Sequence, residues 1–260
     1  MATVEPTTAL SEADVEPEFL AAWRLAQMSS PRPDLWRDTA WTNAVRELHP
    51  GVFALRLLGK EACARLLRQI DAARERELER GGRLPFANSM HRHGVLLGVL
   101  GFDALLADLT TRWVRPIAAH VLTQFNGATL NSHHGYLVEY AHDKDERLAF
   151  HADDSDVTFN LCLSDSFEGA ELTMLGLRCD LHRDTELLPG ERFEYRHEPG
   201  VAVLHAGRHR HRVEKLRSGE RRNLIVWCRD AAQRAVAADD LACQPWCAWG
   251  HCQREALQAR

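Results

Sequence analysis

The stretch HADDSDVTFNLCLS, residues 151–164, sets His151 and Asp153 two positions apart at the mouth of a run that alternates apolar and polar side chains. In an extended chain, residues two apart project from one face, so an imidazole and a carboxylate leave together. Both are good ligands for a divalent first-row metal, and the pair alone suits Fe, Mn or Zn without choosing among them. Two ligands make half a site. A third is expected from a later strand, and GVAVLHAGRHRHRVEKL (200–216) offers His205, His209 and His211. His205 ends an apolar run, His209 sits in the turn and His211 opens the next strand; spacing leaves all three open.

A second chemical signal lies in RRNLIVWC (221–228). Arg221, Asn223, Ile225 and Trp227 share one face of a strand, and Arg222, Leu224 and Val226 the other. A guanidinium projecting into a barrel requires an anion, and a carboxylate held by two parallel hydrogen bonds matches it best. A one-residue slip would turn Arg222 inward instead. The same alternation puts Thr158, Asn160 and Cys162 on one face, opposite Val157, Phe159 and Leu161, which would fill a core layer. Tyr136, Val138 and Tyr140 also share a face.

These residues need elements to carry them. EFLAAWRLAQM (18–28) reads as a helix stopped by SSPRP, and GVFALRLL (51–58) as a strand. In KEACARLLRQIDAARERELER (60–80), Cys63, Leu66, Leu67 and Ile70 recur at helical spacing, and Gly81-Gly82 ends the helix. Leu109, Trp113, Ile117, Val121 and Phe125 mark another helical region, which Pro116 either kinks or restarts. From residue 130 onward, seven short β-like runs follow without helices between them: LNSHHGYLVEYA, VTFNLCLS, AELTMLGL, RFEYRHE, GVAVLHAG, HRVEKL and RRNLIVWC. That texture predicts antiparallel sheets packed as a sandwich or barrel, preceded by helices. We divide the 260 residues into a leader with helices (1–50), a main domain (51–229, barrel core about 130–229) and a tail (230–260). Residues 1–17 are expected to be loose.

Composition excludes some functions. A net charge of −5 and a pI near 6.3 give no cationic field for phosphate backbones, so nucleic acid is not expected as a partner. The N-terminus has no basic segment followed by an apolar core, and no window approaches a membrane span, so a soluble, cytoplasmic protein with no membrane partner is expected. Seven cysteines, an odd number, suggest reduced thiols. In the tail, CQPWCAWGHC offers Cys243, Cys247, His251 and Cys252 to zinc, though C-x3-C-x3-H-C is irregular for a knuckle. Trp246 and Trp249 are expected to pack the tail against the domain.

In order, HAD (151–153), TFNLCL (158–163), FEGAEL (167–172), GVAVLHAG (200–207), HRV (211–213) and GERRNLIVW (219–227) resemble the 2-oxoglutarate and Fe(II)-dependent dioxygenases, nearest in type to the prolyl-4-hydroxylase-like catalytic domain. NSMHRHGVLL (88–97) and LVEYA (137–141) are similar to the helical lead-in of the 2-oxoglutarate and iron-dependent oxygenase domain-containing proteins. The likeness covers about residues 51–229 and is densest over 136–227. It implies an α+β fold, a double-stranded β-helix (a jelly-roll, cupin-like barrel) with supporting N-terminal helices. It implies an iron triad of His151, Asp153 and His211, with His205 ranked second as distal ligand and His209 left in the turn.

Arg221 would hold the C5 carboxylate of 2-oxoglutarate, with Tyr140 a second contact and Thr158 and Asn160 on the same wall. Cys162 departs from the family, standing where many prolyl hydroxylases carry a tyrosine, and a thiol is a weak donor. Ala152, the acidic DDSD run and Gly169-Ala170 are milder departures. The implied cofactors are Fe(II), 2-oxoglutarate, O2 and ascorbate. The implied reaction hydroxylates a protein or peptide side chain, prolyl or lysyl, releasing succinate and CO2, with the loops at 141–150 and 173–199 as the rim. The alternatives are a non-catalytic metal-stabilised barrel serving as an interaction module, and the same chemistry on a small molecule.

Overall fold

The protein is described by a computed structural model covering residues 8–39, 41–87, 90–236 and 242–251. In chain order the elements are α1 (Pro17–Met28), β1 (Val45–His49), β2 (Val52–Arg56), α2 (Lys60–Glu79), β3 (Gly94–Leu96), α3 (Asp103–Asp108) and, after a π-helical turn (Leu109–Val114), α4 (Arg115–Val121). Then come β4 (Ser132–Tyr140), β5 (Leu148–His151), β6 (Val157–Cys162), β7 (Phe167–Gly169), β8 (Leu172–Leu177), β9 (Arg192–Tyr195), β10 (Val201–Ala206), β11 (His209–Val213), β12 (Leu216–Gly219), β13 (Arg221–Arg229) and α5 (Ala231–Val236).

The helices follow their apolar spacing. Cys63, Leu66 and Ile70 of α2 are buried and Leu67 is partly so, and Gly81, at φ 76°, takes the left-handed conformation that stops the helix. Pro116 falls in the first turn of α4, where its missing N–H is not needed. The preceding turn widens, with Arg115 N–H reaching Thr110 O, so the proline restarts the helix after a shift in hydrogen-bond register. The loose leader is corrected for residues 8–16. Leu10 and Val15 are buried, Leu10 N–H donates to Asp108 Oδ2 at 3.1 Å, and Val15 bridges to Leu58. Two apolar side chains in an acidic run suffice to pin it. Residues 1–7 lie outside the described residues.

The larger sheet runs β1-β2-β10-β6-β13-β4-β3, the smaller β5-β11-β8-β9, and β12 pairs β7; neighbouring strands are antiparallel throughout. The side chains divide as the alternation requires. Val157, Phe159, Leu161, Ala202, Leu204, Leu224 and Val226 leave the outer face of the large sheet and pack with the helices. Tyr136, Val138, Tyr140, Val203 and Ile225 point the other way, against Leu148, Leu172, Met174 and Val213 of the small sheet. The two sheets form a double-stranded β-helix with helices on one outer face, an α+β arrangement. The space between them is where inward polar side chains collect.

Candidate metal centre

Antiparallel pairing of β5 with β11 sets His151 opposite His211, ring centroids 4.2 Å apart. Asp153 follows the end of β5, and its N–H donates to Gly207 O at 2.9 Å, which ties it to the turn between β10 and β11. Asp153 Oδ1 is 3.5 Å from His151 Nε2, and Oδ2 is 3.7 Å from His211 Nε2. One ligand atom from each residue lies within 4.8 Å of the others, and all three residues are buried.

The surrounding hydrogen bonds orient these groups. Nδ1 of His151 lies 2.8 Å from Ala149 O, and Nδ1 of His211 lies 2.8 Å from His209 O. A ring that donates Nδ1–H to a carbonyl keeps its lone pair on Nε2, the atom facing Asp153. Burial, reinforced by His151, pushes His211 down to about 3, so it stays neutral and able to bind a cation. Burial would raise Asp153, but His211, His151 and His205 outweigh it and hold the carboxyl below its ordinary range. Two imidazole nitrogens and one carboxylate fit a divalent iron and leave coordination positions for exogenous oxygen ligands.

His205, also inward on β10, has its ring 5.0 Å from that of His211 but does not join the compact set. Its Nδ1 lies 2.8 Å from Ala206 O, and its Nε2 is buried without a hydrogen-bond partner among the described residues. His209 is not a turn residue, as the sequence suggested; it opens β11 and is buried. Thr158, expected on the cosubstrate wall, lies against the triad carboxylate. Its hydroxyl donates to Asp153 Oδ2 at 2.6 Å and lies 2.8 Å from Ser155 Oγ. Thr158→Val keeps the shape and removes the donor, so metal affinity should fall about 10- to 100-fold in an anaerobic Fe(II) titration. Unchanged affinity would remove Thr158 from the site.

Arg221 heads β13 opposite Tyr140 of β4. It is 1% exposed, stacks on the Tyr140 ring at 4.4 Å and donates to Ala170 O. Its Nε has no hydrogen-bond partner, and no carboxylate forms an ion pair with it, among the described residues. A buried cation so placed could be compensated by an anion from outside. Arg222 points to the outer face, where it pairs with Asp71 and Glu139, so the one-residue slip does not occur.

Tyr140 OH lies 2.8 Å from His91 Nε2, a residue the sequence did not single out for the site. Burial pushes His91 down to about 4, with His151 and Arg221 both close enough to add to it. Asn160 Oδ1 accepts from Asn223 Nδ2 at 2.6 Å, and His197 Nδ1 is 3.4 Å from the same nitrogen. The Cys162 thiol turns to Ser164 O, as a weak donor would. Ala170 takes φ 52° directly after Gly169 at φ 83°, which turns its carbonyl toward Arg221.

Burial also pushes His197 well below its ordinary value. Below about pH 6.5 the unfolded chain therefore binds protons at His91 and His197 that the folded chain does not. Stability is complete above about pH 6.5 and declines as pH falls toward the folded values, by up to about 1.4 kcal/mol per pH unit for each histidine. Urea midpoints of the metal-free protein should fall between about pH 7.5 and about pH 5. A flat profile would contradict neutral, buried rings.

Comparison with known proteins agrees with this architecture. A family model described as an OGFOD2-like domain matches residues 10–127, the helical half that precedes the triad. The chain is 37% identical over 223 residues to the 2-oxoglutarate and iron-dependent oxygenase domain-containing protein CP2 of Arabidopsis thaliana, covering 86% of this chain and 57% of that protein. It is 35% identical over 250 residues to the corresponding protein ICU11 of the same plant, covering 94% and 60%. The chain thus spans about three fifths of the length of these relatives. The crystal structure of the non-heme alpha ketoglutarate dependent carbocyclase SnoK superposes with a TM-score of 0.52 at 19% identity, over 88% of both chains, which is a likeness of fold. Over most of its length the chain is thus similar in sequence to 2-oxoglutarate and iron-dependent oxygenase domain-containing proteins, and residues 10–127 match an OGFOD2-like domain.

Proposed function

We propose that the chain is a 2-oxoglutarate- and O2-dependent Fe(II) dioxygenase that hydroxylates a protein side chain of prolyl or lysyl type, in the cytoplasm. The observation that carries this reading is the convergence of one ring nitrogen from each of two histidines and one carboxylate oxygen within 4.8 Å, between the same two sheets as a buried guanidinium without an ion-pair partner among the described residues. His151, Asp153 and His211 would hold the iron. When bound, the metal supplies the redox chemistry that couples oxidative decarboxylation of 2-oxoglutarate to succinate and CO2 with insertion of oxygen into a C–H bond.

The chain's own part is positional. Arg221 takes the distal carboxylate, and the Tyr140 ring and Ala170 carbonyl fix the plane of its guanidinium. His91 holds Tyr140 in place. Val138, Met174 and Ile225 close the inner wall against water. Phe150 projects from β5 on the face opposite His151, with the Arg210 guanidinium 5.5 Å from its ring, so the preference for a protein side chain over a small molecule rests on the resemblance to the prolyl hydroxylases.

The test is succinate release with Fe(II), 2-oxoglutarate and ascorbate as reductant. Wild type should produce succinate slowly alone and faster with a proline- or lysine-containing peptide library. An iron-binding wild type that produces none under any condition would overturn the reading in favour of a metal-stabilised interaction module.

A further inference from the structure

The described residues hold one more cluster of metal-ligating side chains, away from the triad: Cys179, His182, Cys243 and Cys247, each with one ligand atom within 4.8 Å of the others. The tail grouping read from sequence is thereby divided. Cys243 and Cys247 belong to the cluster; His251 does not, and Cys252 lies outside the described residues. Their partners come from the loop between β8 and β9. Cys179 precedes a 3-10 turn, Asp180–His182, closed by His182 N–H to Cys179 O at 3.0 Å. This turn brings Cys179 Sγ to 3.3 Å from His182 Nδ1, while Cys247 Sγ approaches the same nitrogen at 3.5 Å.

One imidazole nitrogen has a single lone pair or a single N–H, so it can serve only one of two thiols. Convergence of both on Nδ1 is accounted for by a cation between them. Around tetrahedral zinc, with Zn–S about 2.3 Å and Zn–N about 2.0–2.1 Å, sulfur and nitrogen lie about 3.5 Å apart. The observed 3.3 and 3.5 Å separations are close to that value. Cys179 and Cys247 are buried, and neither is in a disulfide. Three sulfurs and one imidazole select zinc over the hard cations, and four protein ligands leave no open position for catalysis.

We propose that Cys179, His182, Cys243 and Cys247 form a structural zinc site that fastens residues 242–251 to the loop between β8 and β9. The packing around it serves the same attachment: Trp246 lies 5.2 Å from Phe125, and the Arg178 guanidinium 5.7 Å from Trp249. The loop so anchored also accepts hydrogen bonds from buried Arg210, at Arg183 O (3.1 Å) and Thr185 O (2.6 Å). Arg210 immediately precedes His211, so the zinc site braces the strand that carries the distal histidine from behind.

The experiment loads the full chain with Co(II) and, separately, measures zinc in protein expressed with zinc in the medium. Wild type should show thiolate-to-cobalt charge transfer in the near ultraviolet, which the sulfur-free triad cannot produce, and should retain about one zinc per chain through dialysis. Asp153→Ala should keep both signals; Cys179→Ser and Cys247→Ser should each lose them. Cobalt-loaded wild type without the thiolate band, zinc lost with Asp153→Ala, or a disulfide joining any of these cysteines would overturn the proposal. Because the cobalt spectrum is read on wild type, the result does not depend on how the cysteine variants fold.

Discussion

Arg221→Met is expected to weaken 2-oxoglutarate binding about 30- to 4,000-fold while leaving the cosubstrate-free protein more stable than wild type. The first effect follows from removing one partner of a buried charge pair, which costs about 2–5 kcal/mol, at about 1.4 kcal/mol per tenfold. The second follows from what surrounds the guanidinium before the anion arrives. Among the described residues its compensation is one backbone carbonyl and the ring and hydroxyl of Tyr140, with no carboxylate paired to it. A hydrogen bond to a charged group returns about 1.5–3 kcal/mol, less than the several kcal/mol that desolvating the charge costs. Methionine fills similar space without that cost. Thermal melting should therefore show a higher midpoint for the variant alone and a stabilising shift with 2-oxoglutarate only in wild type. A variant that melts lower and still binds 2-oxoglutarate would make Arg221 a structural residue.

Asp153→Ala should abolish succinate formation and lower Fe(II) affinity by more than the roughly 10- to 100-fold that follows loss of an outer partner such as Thr158. The carboxylate carries the only negative charge of the triad, because imidazole ligates a metal in its neutral form. It also lies within 4.0 Å of both Nε2 atoms. Without it, two imidazoles face a dication with nothing to offset its charge in a buried site. Equilibrium dialysis against Fe(II) under anaerobic conditions, beside a succinate assay, measures both losses. Retained turnover would show that the reacting metal sits elsewhere.

Much of this site was legible because strands alternate. The period of two placed Arg221 inward with Asn223 and Ile225, sent Leu224 and Val226 to the helices, and grouped Thr158 with Asn160 opposite Phe159. The same rule could not choose between His205 and His211, since both point into the barrel. What separates them is the pairing of β11 with β5, a register between segments far apart in the chain. Strands β3, β5, β7 and β12, of three or four residues, are too short to display alternation. His91 reaches Tyr140 from a segment without periodicity. The sulfur cluster was half visible: Cys243 and Cys247 stood out as a pair, but their partners lie about sixty residues upstream on a loop with no pattern of its own.

The central claim is that His151, Asp153 and His211 bind one iron on which 2-oxoglutarate can chelate. Anaerobic addition of Fe(II) to the protein with 2-oxoglutarate should produce the weak visible metal-to-ligand charge-transfer absorption of such a chelate. His211→Ala should abolish it, and His205→Ala should leave it in place. Loss of the absorption in His205→Ala with its persistence in His211→Ala would contradict the assignment.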